Sequence, residues 1–78
     1  MLAASVIYLM PDSLEQARTA FAACEQLEVH GTSDDGGAMV VSFEVADERQ
    51  LEDLERRLRK LAFVRDIAHH AAHFGATA

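Results

Sequence analysis

One stretch in the middle of the chain alternates between apolar and polar positions after the glycine pair at 36–37. A period of two along residues 39–45 predicts a β-strand. Residues 39–41 are all apolar, and apolar character on both sides of a strand is typical of a central position in a sheet. The alternation divides the strand between two faces. We expect the larger apolar side chains to face the core and the others to face outward: Met39, Val41, Phe43 and Val45 inward, and Val40, Ser42 and Glu44 outward.

Three further segments have strand patterns. Residues 5–10 are apolar on both sides, which predicts a second central strand. Residues 28–32 hold one strongly apolar residue among polar ones, and the segment from 65 to about 72 is sparsely apolar; both patterns favour edge strands. A slip in the alternation predicts a bulge near Arg65. The Asp-Gly pair at 35–36 predicts a hairpin between the second and third strands.

Two helices are predicted between the strands. Asp12 with Glu15, and Asp47 with Gln50, have the spacing of a capping box, in which each side chain satisfies a free backbone N–H. The first helix is expected to run to about residue 26. The second carries four leucines between residues 51 and 61 at helical spacing, which predicts one buried face.

The predicted order is strand-helix-strand, a hairpin, and strand-helix-strand. A weak internal repeat supports it, because a shift of 35 residues aligns Tyr8 with Phe43 and Asp12 with Asp47. Two right-handed β-α-β units joined in this way predict an α+β, ferredoxin-like fold. Its antiparallel four-stranded sheet carries both helices on one face and leaves the other face open. We expect one domain over residues 1–78, since the chain is too short for two.

The open face of the predicted sheet is the candidate binding surface. The alternation places Tyr8 with Phe43 under the helices, so the other side of the first strand is expected to face outward. The expected surface mixes apolar, hydroxyl, acidic and histidine side chains: Ser5, Ile7, Leu9, His30, Val40, Ser42, Glu44 and His69. Such a surface suits a peptide that has both apolar and basic parts.

The charge distribution narrows the class of partner. The formal net charge is −6, and residues 1–46 carry seven acids but only one base, Arg18. Nucleic-acid binding depends on basic patches, so this acidic half argues against it and favours basic or neutral partners. No apolar run reaches the roughly 18 residues of a membrane span. No basic residue precedes the apolar N-terminus, as one would in an export signal, so we expect a cytoplasmic protein without membrane insertion.

Candidate catalytic and metal-binding chemistry is sparse. Cys24 is the single cysteine, which excludes an internal disulfide and any multi-cysteine metal site. Histidines 69, 70 and 73 cluster in the last strand, but only the first and third would share a face of that strand, so we do not expect a metal site. The glycine pair leads into a strand rather than a helix, unlike a phosphate-binding loop. We therefore expect neither an enzyme nor a cofactor.

Several short segments, taken in order, resemble the NapD family of small cytoplasmic chaperones of the periplasmic nitrate reductase. The resemblance covers nearly the whole chain. It is carried by residues 5–8 in the first strand, 28–31 in the second, the Asp-Asp-Gly turn at 34–36 before Met39-Val40-Val41, Glu44 followed by Asp47 and Leu51, and the closing pair His69-His70.

The resemblance implies a function. NapD proteins bind the twin-arginine signal peptide of the catalytic subunit, NapA, and hold back export until the enzyme has its cofactor and is folded. On this basis we expect Glu28 and Glu44 to attract the arginines, and Ile7, Leu9 and Val40 to contact the apolar part. The protein is expected to be a monomer or a weak dimer.

A second interpretation comes from a different functional class. Ligand-sensing domains of the ACT type and of Lrp/AsnC regulators share the predicted fold and have similar leucines in the second helix. They bind amino acids at a dimer interface and are usually attached to an enzyme or a DNA-binding domain.

Overall fold

The computed structural model describes residues 2–71, with side chains through Ala68. Its elements follow the order β-α-β-β-α-β: β1 (Leu2–Leu9), α1 (Leu14–Ala22), β2 (Leu27–Thr32), β3 (Ala38–Glu44), α2 (Glu48–Arg59) and β4 (Val64–Ala71). The four strands form one sheet in the order β2-β3-β1-β4, and all neighbouring strands are antiparallel. This confirms the predicted ferredoxin-like α+β fold, with β1 and β3 central and β2 and β4 at the edges. None of the helices in the described part of the chain is long and apolar enough to cross a membrane.

The core lies between one face of the sheet and the two helices. On the sheet side it includes Ile7 of β1, Met39 and Phe43 of β3 and Ile67 of β4, all nearly or fully buried. The helices contribute Phe21 from α1 and three leucines of α2, Leu51, Leu54 and Leu58. The rings of Phe21 and Phe63 meet edge to face with centroids 5.9 Å apart, which is a favourable aromatic geometry.

The face assignment of β1 is opposite to the one expected. Ser5, Ile7 and Leu9 lie on the helix-covered face and are at most 3% exposed, so their placement on the open face is wrong. Tyr8, expected in the core, is half-buried on the open side. The register explains this, because Ser5 pairs with Val41 and Ile7 with Met39, and directly opposed residues of antiparallel strands share a face.

The start of α1 shows that the internal repeat is offset by one residue from the predicted shift. Ser13, not Asp12, is the residue that precedes the first turn of α1, and Asp12 has a left-handed backbone with φ of 60°. The capping box predicted at Asp12 is therefore wrong. The equivalent caps are Ser13 and Asp47, one residue closer together than the 35-residue shift assumed. A shift that is wrong by one residue exchanges the two faces of a strand.

The capping box of α2 is present as predicted. The Asp47 carboxylate accepts a hydrogen bond from the Gln50 backbone N–H at 2.9 Å. The Gln50 side-chain oxygen in turn accepts from the Ala46 backbone N–H at 2.6 Å. This reciprocal arrangement satisfies backbone donors that the helix itself cannot.

Two strand irregularities shape the open side of the sheet. Tyr8 pairs with Asp66 while Leu9 pairs with Val64, so Arg65 is the extra residue of a bulge in β4, as predicted. In β2, Val29 pairs with Val41 and Gly31 with Val40, which leaves His30 as the extra residue. Such bulges redirect side chains at sheet edges.

Candidate functional site

The open face of the sheet is defined by the side chains that alternate with the core residues. It comprises Leu2, Ala4, Val6 and Tyr8 of β1, Glu28 and His30 of β2, Ala38, Val40, Ser42 and Glu44 of β3, and Arg65 and Ala68 of β4. Neither helix packs its apolar face here, since the buried helix residues belong to the core on the other side. Neither helix of the described chain therefore covers this face.

An apolar row crosses the middle of the open face. Val40, Val6 and Ala68 lie opposite one another on β3, β1 and β4. Val40 is 45% exposed, although it lies in a central strand flanked by neighbours on both sides. Val6 and Ala68 beside it are half-buried, and an apolar row left partly exposed on a sheet face favours an interaction surface.

An acidic corner lies to one side of this row, at the Leu2 end of β1. Glu44 pairs with Leu2, and Glu28 pairs with Ser42. Together with Glu25 these carboxylate residues line a small cavity of about 60 Å³ whose lining contains no lysine or arginine. Glu25 was not expected at this corner, because the first helix was predicted to run to about residue 26, whereas α1 ends at Ala22.

His30 and Ser42 form the polar centre of the face. The Nε2 atom of His30 and the Oγ atom of Ser42 share a hydrogen bond of 2.7 Å. Ser42 is only 5% exposed, so this bond satisfies a buried hydroxyl that would otherwise be costly. The bulge at His30 brings the imidazole over the neighbouring strand and joins the edge of the sheet to its middle.

Tyr8 and Arg65 form the other end of the open face. The guanidinium carbon of Arg65 lies over the Tyr8 ring, 6.0 Å from its centroid, at the outer limit of a cation–π contact. Both residues line a cavity of about 490 Å³ together with Asp35 of the hairpin. Hydrogen bonds from the Ser33 hydroxyl and then the Gly37 backbone N–H hold the pKa of Asp35 below its ordinary value.

The structure brings together five of the nine site residues expected from the sequence. Those five are Glu28, His30, Val40, Ser42 and Glu44, all on the open face. β1 supplies Leu2, Ala4, Val6 and Tyr8 to this face, in place of the three expected residues that are buried. The backbone of His69 pairs with Ser5 in β4, but its side chain, like the whole of His73, lies outside the described residues.

A metal centre is not formed by the described part of the chain. Among its histidine, cysteine, aspartate and glutamate side chains, no group of three or more is arranged to hold a metal ion. The acidic corner and the His30–Ser42 pair are therefore described as groups that attract charge and donate or accept hydrogen bonds.

Comparison with known proteins identifies the family to which the chain belongs. The model of the NapD protein family matches residues 2–75, nearly the whole chain. Searches of curated proteins and of solved structures returned no match. The match includes every strand and helix and all twelve residues of the open face. The chain therefore belongs to the NapD family, whose members serve the maturation of nitrate reductase.

Proposed function

We propose that this protein is a cytoplasmic chaperone that binds the twin-arginine signal peptide of NapA, the catalytic subunit of the periplasmic nitrate reductase. Binding would keep the subunit from export while its maturation is completed. The observation that carries the proposal is the combination of an exposed apolar row with an acidic corner on one uncovered face of the sheet. Membership of the NapD family supports the identity of the client.

The apolar row matches the apolar segment of such a peptide. Val40 is 45% exposed, and Val6 lies beside it on the neighbouring strand. Covering this row with apolar side chains would gain roughly 25 cal/mol for each Å² removed from water. Burial of this kind supplies affinity without strict sequence demands, which suits a segment defined by its hydrophobicity.

The acidic corner matches the two arginines. Glu28 and Glu44 lie to one side of the apolar row, and no lysine or arginine lines the cavity beside them. Arginine forms charge-assisted, often bidentate hydrogen bonds with carboxylates. Complementary charge also speeds encounter and gives specificity for the arginine pair.

Isothermal titration calorimetry with a NapA-type signal peptide tests the proposal. Replacing Glu44 by arginine exchanges an attractive contact for a repulsive one, so the Kd is expected to rise at least about tenfold, equivalent to about 1.4 kcal/mol. Glu52→Arg is the matched control, since Glu52 is an exposed glutamate on α2 and not on the open face. Equal affinities for wild type, Glu44→Arg and Glu52→Arg would remove the acidic corner from the site, and absence of binding by the wild type would overturn the function.

A further inference from the structure

We infer that a twin-arginine peptide lies across the open face in one direction, with its arginines at the Glu28–Glu44 corner and its apolar segment running towards Tyr8 and Arg65. The inference rests on the proposed function and adds the direction of the bound peptide and the role of Arg65 in setting it. In this arrangement the peptide runs parallel to β1, from the Leu2 end to the Tyr8 end.

The two ends of the face are far enough apart to distinguish the two halves of a peptide. Leu2 pairs with Glu44 at one end of β1, and Tyr8 pairs with Ala38 at the other. At about 3.4 Å per residue, the strand between them spans roughly 20 Å. That length accommodates about six residues of extended peptide, or about 13 residues of α-helix at 1.5 Å each.

The acids at the corner are not engaged by any other residue that the structure describes. The carboxylates of Glu28 and Glu44 make no hydrogen bond or ion pair with another residue of the described chain. Their charges are therefore available to a partner, and two carboxylates are available for two adjacent guanidinium groups. The neighbouring Glu25 adds negative potential at the same corner.

At the opposite end two guanidinium groups, those of Arg59 and Arg65, offset the charge of the carboxylates. Asp66 accepts a hydrogen bond from Arg59 of α2 at 2.9 Å, and Asp35 accepts from Ser33 and Gly37 within its own turn. Arg65 forms no ion pair with another described residue, and its guanidinium lies over the Tyr8 ring.

Further acids lie on the helix side of the hairpin. Asp34 lines a cavity with Asp12 and Glu15 against Leu14, the first residue of α1. Leu14 packs against the core from the helix layer, whereas Asp35 lines both this cavity and the one that contains Arg65.

The consequence is an asymmetric surface. A peptide bound in the inferred direction places its arginines against unengaged carboxylates, and its apolar side chains against Val6, Val40 and the Tyr8 ring. A reversed peptide brings the same arginines to the end where Arg65 offsets the carboxylates of Asp35 and Asp66, so they gain less attraction there. Arg65 therefore acts as a positioning residue that disfavours the wrong direction.

Paramagnetic relaxation measurements on the ¹⁵N-labelled protein test the direction. The probe is a synthetic peptide with two adjacent arginines followed by a leucine- and alanine-rich segment, carrying a nitroxide at one terminus or the other. The N-terminal nitroxide is expected to broaden the amide signals of Glu28 and Glu44, and the C-terminal nitroxide those of Tyr8 and Ala38. The reversed pattern, or the same pattern from both labels, would overturn the direction while leaving the proposed function intact. A peptide that fails to bind would overturn both.

Charge reversal at Arg65 tests the role of that residue. In Arg65→Glu the penalty for the reversed direction is removed, so the N-terminal nitroxide is expected to broaden signals at both ends of the face. Arg49→Glu is the matched control, since Arg49 is exposed on α2, which packs on the other face of the sheet. Retention of the wild-type pattern in Arg65→Glu would overturn the role given to Arg65, and loss of the pattern in Arg49→Glu as well would show that overall charge is responsible.

Discussion

The imidazole of His30 and the hydroxyl of Ser42 are joined across two strands by a hydrogen bond of 2.7 Å. The bond exists because His30 is an extra residue in β2, which allows its side chain to reach the neighbouring strand. It connects the edge strand β2 to Ser42 in the middle of the open face. His30, which is expected to contact a ligand, therefore also links two strands of the sheet.

A double-mutant cycle measures this coupling. His30→Ala leaves the Ser42 hydroxyl without its partner, whereas Ser42→Ala removes the need for one. We expect the two changes to be non-additive in urea unfolding by about 0.5–1.5 kcal/mol, the usual net contribution of a hydrogen bond. Additive effects would indicate that the bond contributes nothing to the folded state.

Ser5 is the opposite case to Ser42, because its buried hydroxyl is not hydrogen-bonded to another described residue. The two serines therefore form a matched pair for a stability test. Ser5 is fully buried, and its Oγ atom has no hydrogen-bond partner among the described residues. An unsatisfied buried hydroxyl costs about 1–3 kcal/mol, so Ser5→Ala is expected to leave the free energy of unfolding unchanged or to raise it. Ser42→Ala, which deletes a bonded hydroxyl, should lower it. A stability loss in Ser5→Ala as large as that in Ser42→Ala would contradict this description of the core.

The two faces of the sheet predict opposite outcomes for alanine substitutions. Ile7 is completely buried and Val40 is 45% exposed. Ile7→Ala is expected to lower the free energy of unfolding by about 2–5 kcal/mol, and Val40→Ala by no more than about 0.5 kcal/mol. The affinity for the peptide should show the opposite ranking: Val40→Ala is expected to bind the peptide more weakly than Ile7→Ala does. Chemical denaturation and calorimetry on the two variants separate these effects, and a small stability change in Ile7→Ala would restore the face assignment expected from the sequence.

The contrast between β3 and β1 shows what the sequence could determine. In β3 the polar residues Ser42 and Glu44 mark the outward side, so alternation alone assigned its faces correctly. In β1 both sides are apolar, and Ser5 lies in the core while Tyr8 does not. Hydrophobicity could not decide between them, because the register was determined by the pairing with β3 and by the left-handed residue before α1.

The candidate site was predictable where it depends on single strands and not where it depends on loops and bulges. Glu28 and Glu44 were identified from the strands that carry them. Glu25 was not, because its position depends on where α1 ends. The contact of Arg65 with Tyr8 depends on the bulge in β4, which the sequence predicted. It also depends on the position of Tyr8 on the open face, which the sequence did not predict.

Asp66 provides a pH-dependent link between α2 and β4. The hydrogen bond from Arg59, followed by that from the Ile67 backbone N–H, lowers the pKa of Asp66 below its ordinary value of 3.8. Because the folded-state pKa is the lower one, the ionised carboxylate favours folding. This contribution is present above the unfolded-state pKa and is lost as the pH falls through the folded-state pKa.

An NMR titration of the Asp66 carboxyl carbon tests the link. In Arg59→Gln we expect the pKa of Asp66 to rise towards 3.8, and the loss of stability below about pH 4 to become shallower than in wild type. Arg57→Gln serves as the control, since Arg57 is an exposed arginine on the same helix with no hydrogen bond to Asp66. An unchanged pKa in Arg59→Gln would show that the backbone N–H alone is responsible.

The claim that the open face binds the signal peptide is tested most directly by chemical-shift mapping. The ¹⁵N-labelled protein is titrated with unlabelled NapA-type signal peptide, and amide shifts are followed for residues 2–71. We predict the largest changes at Glu28, His30, Val40 and Glu44, with little change along the exposed sides of α1 and α2. Shifts confined to the helices, with the strand amides unmoved, would contradict the account.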